Sequence, residues 1–326
     1  MRAELNKYLK SKLFAATLAC FACFMWGTAF ATVKRGYEIL EIHSNDIPEI
    51  LFFAGIRFTI GGLFVLVLSY FLTGVRTKVK SSLKGELFSY AIFATTAMYF
   101  FYYIGVSHAS GLNSSMINSC AAFVSVFLAH FFFKNDRLNI QKIIAVAIAF
   151  VGLYILNVSG SSGDSSSSSN FTFMGEGFMA ISTVMVSLSS IWNKKLLDKY
   201  DPFLIAYAQL FYGGLCMIFL SLALGGKINI GPNNLPEFLV CLLWLSLISC
   251  TAFSIWSMIL KFHPASKMEM YRCTIPIFSA IASYILLGEE IFTYKKILAI
   301  GLLVFSLVLL NLKLKNPNDD KLSHKC

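Results

Sequence analysis

Residues 159–170 read SGSSGDSSSSSN and form the one low-complexity stretch of the chain. Serine and glycine with a single charge, at Asp164, cannot bury a core, and this composition is typical of a flexible linker. A long, mostly apolar block lies on each side, residues 13–158 before the linker and residues 171–312 after it. The stretch therefore predicts two domains that share one plan, followed by a polar cytoplasmic tail at residues 313–326.

The composition of both blocks indicates a membrane protein. Of the 326 residues, 57% are hydrophobic and 13% are charged, whereas a soluble domain carries about 25% charged residues. A helix that crosses a bilayer needs roughly 20 apolar residues, because its backbone polar groups must be bonded within the segment. Ten such stretches fit the chain, and the short connections make neighbouring spans antiparallel. They cover residues 13–33, 50–73, 87–107, 112–133, 140–158, 173–193, 202–224, 236–260, 265–287 and 294–312.

The positive charge lies between the spans. The chain carries a net charge of +10, but its basic residues occur in short runs, which argues against nucleic acid as a partner. Cytoplasmic loops retain Lys and Arg. With the N-terminus inside, 20 of the 27 basic residues fall inside and 5 outside, while Arg57 and Arg272 lie within spans. We therefore predict a multi-pass protein of the cell membrane, surrounded by the lipid bilayer, with both termini cytoplasmic and the linker outside.

The two blocks repeat each other at an offset of 154 residues. Pro48 falls on Pro202 at the start of the second span of each half, and Asp136 falls on Glu290 between the fourth and fifth spans. Because five is an odd number of spans, the second copy must insert upside down. The predicted fold is an all-α integral membrane protein with ten transmembrane helices, arranged as two inverted five-helix repeats. Inverted repeats are common in alternating-access carriers.

Four short motifs give the chain a resemblance to a known family. The motifs are Trp26-Gly27-Thr28 with Lys34, Pro48 with Arg57, Asp136-x-Leu138, and Glu290-x-Phe292-Thr293. The chain resembles the EamA-type transporters of the drug/metabolite transporter superfamily over nearly its whole length. It departs from the family pattern at Asp136, where Glu is usual, and at Ala145 and Ala299, where Gly is usual. The resemblance implies a ten-helix secondary carrier, many of whose relatives export amino acids or other small metabolites.

The ninth span combines three features that suit a substrate site. Pro276 has no N–H, so the carbonyl of Arg272 loses its helical partner near mid-bilayer. Arg272 is an intramembrane charge, and such charges face a cavity or a partner. Glu269 lies one turn earlier on the same helix face. We expect all three residues to line the substrate path; the alternatives are a lipid-facing kink at Pro276 and a purely structural pair between Glu269 and Arg272.

Aromatic and amide side chains in other spans are further candidates. Tyr99 and Tyr103 stand at helical spacing in the third span, and Trp256 matches a tyrosine of that span at the repeat offset. Aromatic rings can line a pocket or pack between helices. Trp26 and Asn118 can likewise face the substrate or join helices. The predicted substrate-binding residues are thus Trp26, Tyr99, Tyr103, Asn118, Trp256, Glu269, Arg272 and Pro276.

Arg57, the second intramembrane arginine, has two interpretations. It lies in the outer part of the second span. It can bind an anionic group of a substrate. Such an arginine more often pairs with a carboxylate or a helix end, and we expect this structural role.

The residue types present favour transport over catalysis. The chain contains no motif of a catalytic triad, a phosphate loop or a metal site, so we expect neither an enzyme nor a cofactor. We predict a secondary carrier that binds a small-molecule substrate and exports metabolites such as amino acids by alternating access. The alternatives are import or exchange of a metabolite and, in a different class, a membrane interaction protein that transports nothing.

Overall fold

The computed structural model describes residues 2–43, 45–74, 84–109, 117–134, 136–160, 172–227, 234–287 and 294–312. All regular structure within these ranges is helical. The helices are α1 (Arg2–Leu9), α2 (Lys12–Ile39), α3 (Ile47–Thr73), α4 (Gly85–His108), α5 (Ala121–Phe132), α6 (Ile140–Gly160), α7 (Phe173–Leu196), α8 (Pro202–Ala223), α9 (Leu235–Phe262), α10 (Ala265–Met270), α11 (Ile275–Leu287) and α12 (Tyr294–Asn311).

Six of these helices are long and apolar enough to cross a bilayer, namely α2, α3, α4, α7, α8 and α9. Three shorter apolar stretches, Ile117–Phe132, Ile140–Ile155 and Ile297–Leu310, coincide with other predicted spans. Large apolar side chains such as Phe71, Phe219 and Val240 are exposed on the outer faces of the long helices. An outer surface of this kind suits lipid rather than water, because lipid tails are apolar.

The predicted linker is only partly described. Helix α6 extends to Gly160, so the first two residues of the 159–170 stretch are helical, and the remaining ones lie outside the described residues. The sequence element at Glu290 and the tail at residues 313–326 lie outside them as well. The prediction of a flexible linker therefore begins two residues too early, because the helical ladder continues through Ser159 and Gly160.

Contacts between the two halves follow a reciprocal pattern. Helix α2 packs against α9 and α11 of the second half, and α7 packs against α4 and α5 of the first half. Helix α3 packs against α8, and α6 packs against α12. Each contact is therefore matched by the contact between the corresponding helices of the other half.

Glycines allow α3 and α8 to approach closely. A Cβ atom built on Gly214 of α8 would lie 2.6 Å from the backbone nitrogen of Thr59, and one on Gly62 of α3 would lie 2.7 Å from that of Phe211. Real Cβ atoms essentially never come this near, so only glycine fits at both positions. Small residues at helix interfaces are the usual means of close packing in membranes.

The third span is bent into a π-helical segment at Ile92–Ala97. Two threonines of this segment donate hydrogen bonds to carbonyls of α8: Thr95 to Gln209 at 3.1 Å, and Thr96 to Gly213 at 2.9 Å. Single π turns inside α-helices are often found at functional sites. Here the π turn directs both hydroxyls to the neighbouring helix.

Polar networks join the helix ends on the two sides of the bundle. At the predicted cytoplasmic end, buried Asp136 accepts hydrogen bonds from Lys142 Nζ at 2.6 Å, from the backbone N–H of Ser266 at 2.9 Å, and from the Ser266 hydroxyl. At the predicted outer end, Arg35 pairs with Glu237, and this pair is exposed. The Asp136 network ties the start of α6 to the start of α10.

Candidate functional site

The chain between α10 and α11 forms a local break. Residues Tyr271–Thr274 adopt a 3₁₀ turn, and α11 starts at Ile275, next to Pro276. The break follows from Pro276, which cannot donate to the carbonyl of Arg272. The backbone N–H of Ile275 donates to that carbonyl instead. The break is therefore present as predicted, and the carbonyl of Arg272 lacks its α-helical partner, while the tighter turn supplies another donor.

Glu269 and Arg272 form an ion pair beside this break. Arg272 Nε lies 3.3 Å from Glu269 Oε2. The Glu269 side chain is 0% exposed and that of Arg272 is 22% exposed. Pairing offsets part of the cost of removing these charges from water, which is several kcal/mol for an isolated ion. The contact expected from their spacing is therefore present.

Two indole rings lie against the guanidinium group of Arg272. Its Cζ atom lies 4.9 Å from the ring centroid of Trp26 and 5.0 Å from that of Trp256. The two ring centroids are 5.2 Å apart. A cation within about 6 Å of an indole face is attracted by the ring quadrupole. Trp26 on α2 and Trp256 on α9 thus contact each other and together form one aromatic surface against which the Arg272 side chain lies.

Hydrogen bonds also orient the carboxylate of Glu269. Its Oε1 atom accepts from Trp256 Nε1 at 3.3 Å and from the hydroxyl of Ser190 on α7. Its Oε2 atom faces Arg272 but accepts no hydrogen bond. Oε1 is therefore engaged by two donors, while Oε2 can still accept a hydrogen bond.

The predicted tyrosines adjoin this cluster through two phenylalanines. The ring centroid of Phe253 lies 5.5 Å from that of Trp26 and 6.4 Å from that of Phe58. Phe58 in turn lies 4.9 Å from Tyr99, which stacks on Tyr103 at 5.9 Å. A continuous series of rings therefore leads from Trp26 to the third span.

The structure brings most of the predicted residues together and leaves one apart. Trp26, Trp256, Glu269 and Arg272 are in direct contact, and Pro276 lies on the next turn. Asn118 is half-buried, and within the described ranges no hydrogen bond, ion pair or ring contact joins its side chain to this cluster. Asn118 corresponds to Arg272 at the repeat offset, so the second half carries the charge that the first half lacks.

Ser190 is the member of the site that sequence reasoning missed. It belongs to a series of small polar side chains on α7 that are buried against other helices: Ser182, Thr183, Ser187, Ser189, Ser190 and Asn193. Their spacing follows a helical face, and that pattern could have identified the face directed inward. It could not have identified Glu269 as the partner, because the two residues come together only in the folded chain.

A polytopic helical bundle that holds a buried, charged and aromatic cluster is typical of one class of protein, the membrane transporters. The EamA-like transporter family matches the chain twice, at residues 13–158 and at residues 173–312. The chain therefore belongs to the EamA-like transporter family and contains two copies of its domain. It is accordingly a multi-pass membrane protein, and the resemblance stated from its motifs is confirmed.

Several bacterial and archaeal proteins are similar to the whole chain. An uncharacterized transporter of Archaeoglobus fulgidus is 26% identical over 290 residues, covering 86% of this chain and 93% of that protein. The uncharacterized transporter YvbV of Bacillus subtilis is 24% identical over 303 residues, covering 92% of each chain. A solved crystal structure with 14% sequence identity matches with a TM-score of 0.74, covering 92% of this chain and 98% of the other. That last likeness concerns the fold alone.

Proposed function

We propose that this EamA-family transporter is a secondary carrier that exports a small metabolite such as an amino acid by alternating access. The Glu269–Arg272 pair, in contact with two indoles, carries the proposal. A charged pair of this kind inside a membrane bundle is costly, and such groups usually mark the path of a substrate or an ion. Its position at a broken helix is typical of secondary carriers, whose sites form where spans are discontinuous.

The proposed architecture is ten transmembrane helices in two inverted repeats. It is supported by the reciprocal contacts, in which α2 packs against α9 and α11 while α7 packs against α4 and α5. Contacts of this kind arise when two equivalent halves are related by a two-fold axis. Residues from α2, α7, α9 and α10 meet at the site, so a relative movement of the halves would change its access.

The site suits a zwitterion with an apolar or aromatic side chain. Arg272 engages Glu269 through Nε alone among its described contacts, so its terminal nitrogens can donate to a substrate carboxylate. Glu269 Oε2 can accept from a substrate ammonium. The rings of Trp26, Phe253 and Tyr99 supply apolar and π surface for the rest of the molecule.

Efflux from vesicles tests whether the protein transports an amino acid and whether transport runs in the direction of export. Proteoliposomes are loaded with amino acids and, separately, with the matching amines that lack the carboxylate. We expect export of at least one amino acid. Arg272→Gln should lower that export about tenfold or more, because a hydrogen bond to a charged group contributes about 1.5–3 kcal/mol. Export of the amine should change much less.

Paired variants separate a substrate site from a structural ion pair. Glu269→Gln, Arg272→Gln and the double variant are compared for transport and folded yield. If the pair only stabilises the fold, yield and all transport should fall together in the single variants and recover in the double variant. That recovery, or wild-type vesicles that release none of the loaded compounds, would refute the proposed site.

We further propose that both termini are cytoplasmic. The distribution of Lys and Arg supports this orientation, because 20 basic residues are assigned inside and 5 outside. In a background without native cysteines, an impermeant thiol reagent added outside should label a cysteine at Ser166 and not one at Lys80. The reverse labelling pattern would invert the topology.

A further inference from the structure

Arg57 on α3 is a buried cation without a counter-charge. The residue is 8% exposed, and its Nε atom is buried and has no hydrogen-bond partner. Within the described part of the chain, no carboxylate lies within ion-pairing distance of its guanidinium group. The expectation that Arg57 is paired structurally is therefore not met among these residues.

The surroundings of Arg57 are aromatic. Its Cζ atom lies 4.4 Å from the ring centroid of Phe58, the ring that also contacts Tyr99. Phe58 and Tyr99 belong to the series of rings that leads through Phe253 to Trp26, beside Arg272. Arg57 thus adjoins the same aromatic region of the bundle as Arg272.

The contacts of Arg57 offset only part of the free-energy cost of burying its charge. Removing one charge from water costs several kcal/mol even after relaxation, while a desolvated cation–π contact returns about 2 kcal/mol. At the neighbouring cluster the charges of Glu269 and Arg272 cancel, so they supply no net negative charge to Arg57. The region around Tyr99 therefore carries a net charge of one positive unit that the described protein atoms leave uncompensated.

We infer that Arg57 is an anion-binding subsite of the substrate path and that the carried metabolite bears, beside the zwitterionic group at Glu269 and Arg272, a second anionic group, which gives it a net negative charge at neutral pH. This inference rests on the proposed carrier function and narrows its substrate class. The ligand is an organic anion in which a carboxylate meets Arg57 and an apolar or aromatic part lies along Phe58 and Tyr99. A charge-assisted hydrogen bond in a desolvated site is the contact that supplies the missing counter-charge.

Benzoate and benzamide are matched probes, because they differ in charge and share the ring. Calorimetric titration of the purified full-length protein in detergent should give a dissociation constant for benzoate about tenfold or more below that for benzamide. Arg57→Met should reduce that ratio to near one. It should leave the melting midpoint unchanged or higher, because replacing a buried unpaired charge with an apolar side chain relieves its desolvation cost. Arg57→Lys should restore part of the preference.

Arg35→Gln is the matched control, because Arg35 is exposed and paired with Glu237. It should keep the wild-type ratio. The inference is overturned if wild-type protein binds the two probes equally, if Arg57→Met retains the preference, or if Arg57→Met fails to fold, which would make Arg57 a structural residue. If Arg57→Met brings the ratio of the benzoate and benzamide dissociation constants near one but the wild-type protein transports nothing, the anion site stands and the carrier function is refuted. If the wild-type protein transports its substrate but Arg57→Met leaves the ratio unchanged, the carrier function stands and the anion site is refuted.

Discussion

Asp136→Ala is expected to destabilise the protein by about 3–5 kcal/mol and to remove most of its folded yield. The substitution leaves Lys142 buried without its partner, and an uncompensated buried charge has an effect of that size. It also removes the acceptor of the Ser266 backbone N–H and hydroxyl at the start of α10. Unfolding midpoints of the purified protein, together with size-exclusion yield, measure the loss.

The ion pair of Glu86 with Lys199 is the control for Asp136. Lys199 Nζ lies 2.9 Å from Glu86 Oε1, but both side chains are well exposed. Exposed pairs contribute little to stability, so Glu86→Gln should leave the midpoint nearly unchanged. Asp136→Asn combined with Lys142→Met should recover much of the stability that Asp136→Ala loses. Equal effects of Asp136→Ala and Glu86→Gln would show that the buried network does not hold the helix ends together.

Gly214→Leu should prevent the folding of the bundle almost completely. A Cβ atom at this position would lie 2.6 Å from the Thr59 nitrogen and 2.8 Å from the Gly55 carbonyl oxygen, so α3 and α8 would have to separate. Backbone atoms cannot move aside as a flexible side chain can, and overpacking of this kind costs several kcal/mol. We expect loss of the monodisperse peak in detergent chromatography.

Gly301→Leu is the matched substitution on α12. Nothing lies within 4 Å of a Cβ atom at Gly301, so the added side chain meets no other part of the described protein. Its yield should remain near that of the wild type. Comparable yields for the two variants would mean that α3 and α8 tolerate a wider separation than their contact distances indicate.

The ion pair at the site was predictable, while its surroundings were only partly so. Glu269 and Arg272 are close in sequence, so a helical spacing is enough to predict their contact. Trp26 and Trp256 were candidates because of their residue type and motif. Their contacts with each other and with one guanidinium group depend on how α2, α9 and α10 pack, which a single sequence does not contain.

The ends of the helices and the role of Arg57 show where local reasoning fails. Charges at Lys34 and Arg35 suggested that the first span ends at residue 33, yet α2 continues to Ile39. Arg35 lies on this extension, where it pairs with Glu38 and with the distant Glu237. Arg57 was expected to pair with a carboxylate or a helix end, because most intramembrane arginines do, and only the tertiary structure reveals that no carboxylate is within ion-pairing distance among the described residues.

The contact of Arg272 with Trp26 and Trp256 has an optical consequence. The chain has four tryptophans, and two of them lie against each other and against one charged group of the site. Indole emission depends on the electric field and on the water around the ring. Any molecule that displaces water there, or draws Arg272 away from the rings, changes both. The wild-type protein therefore contains its own fluorescent reporter of occupancy, with no attached dye.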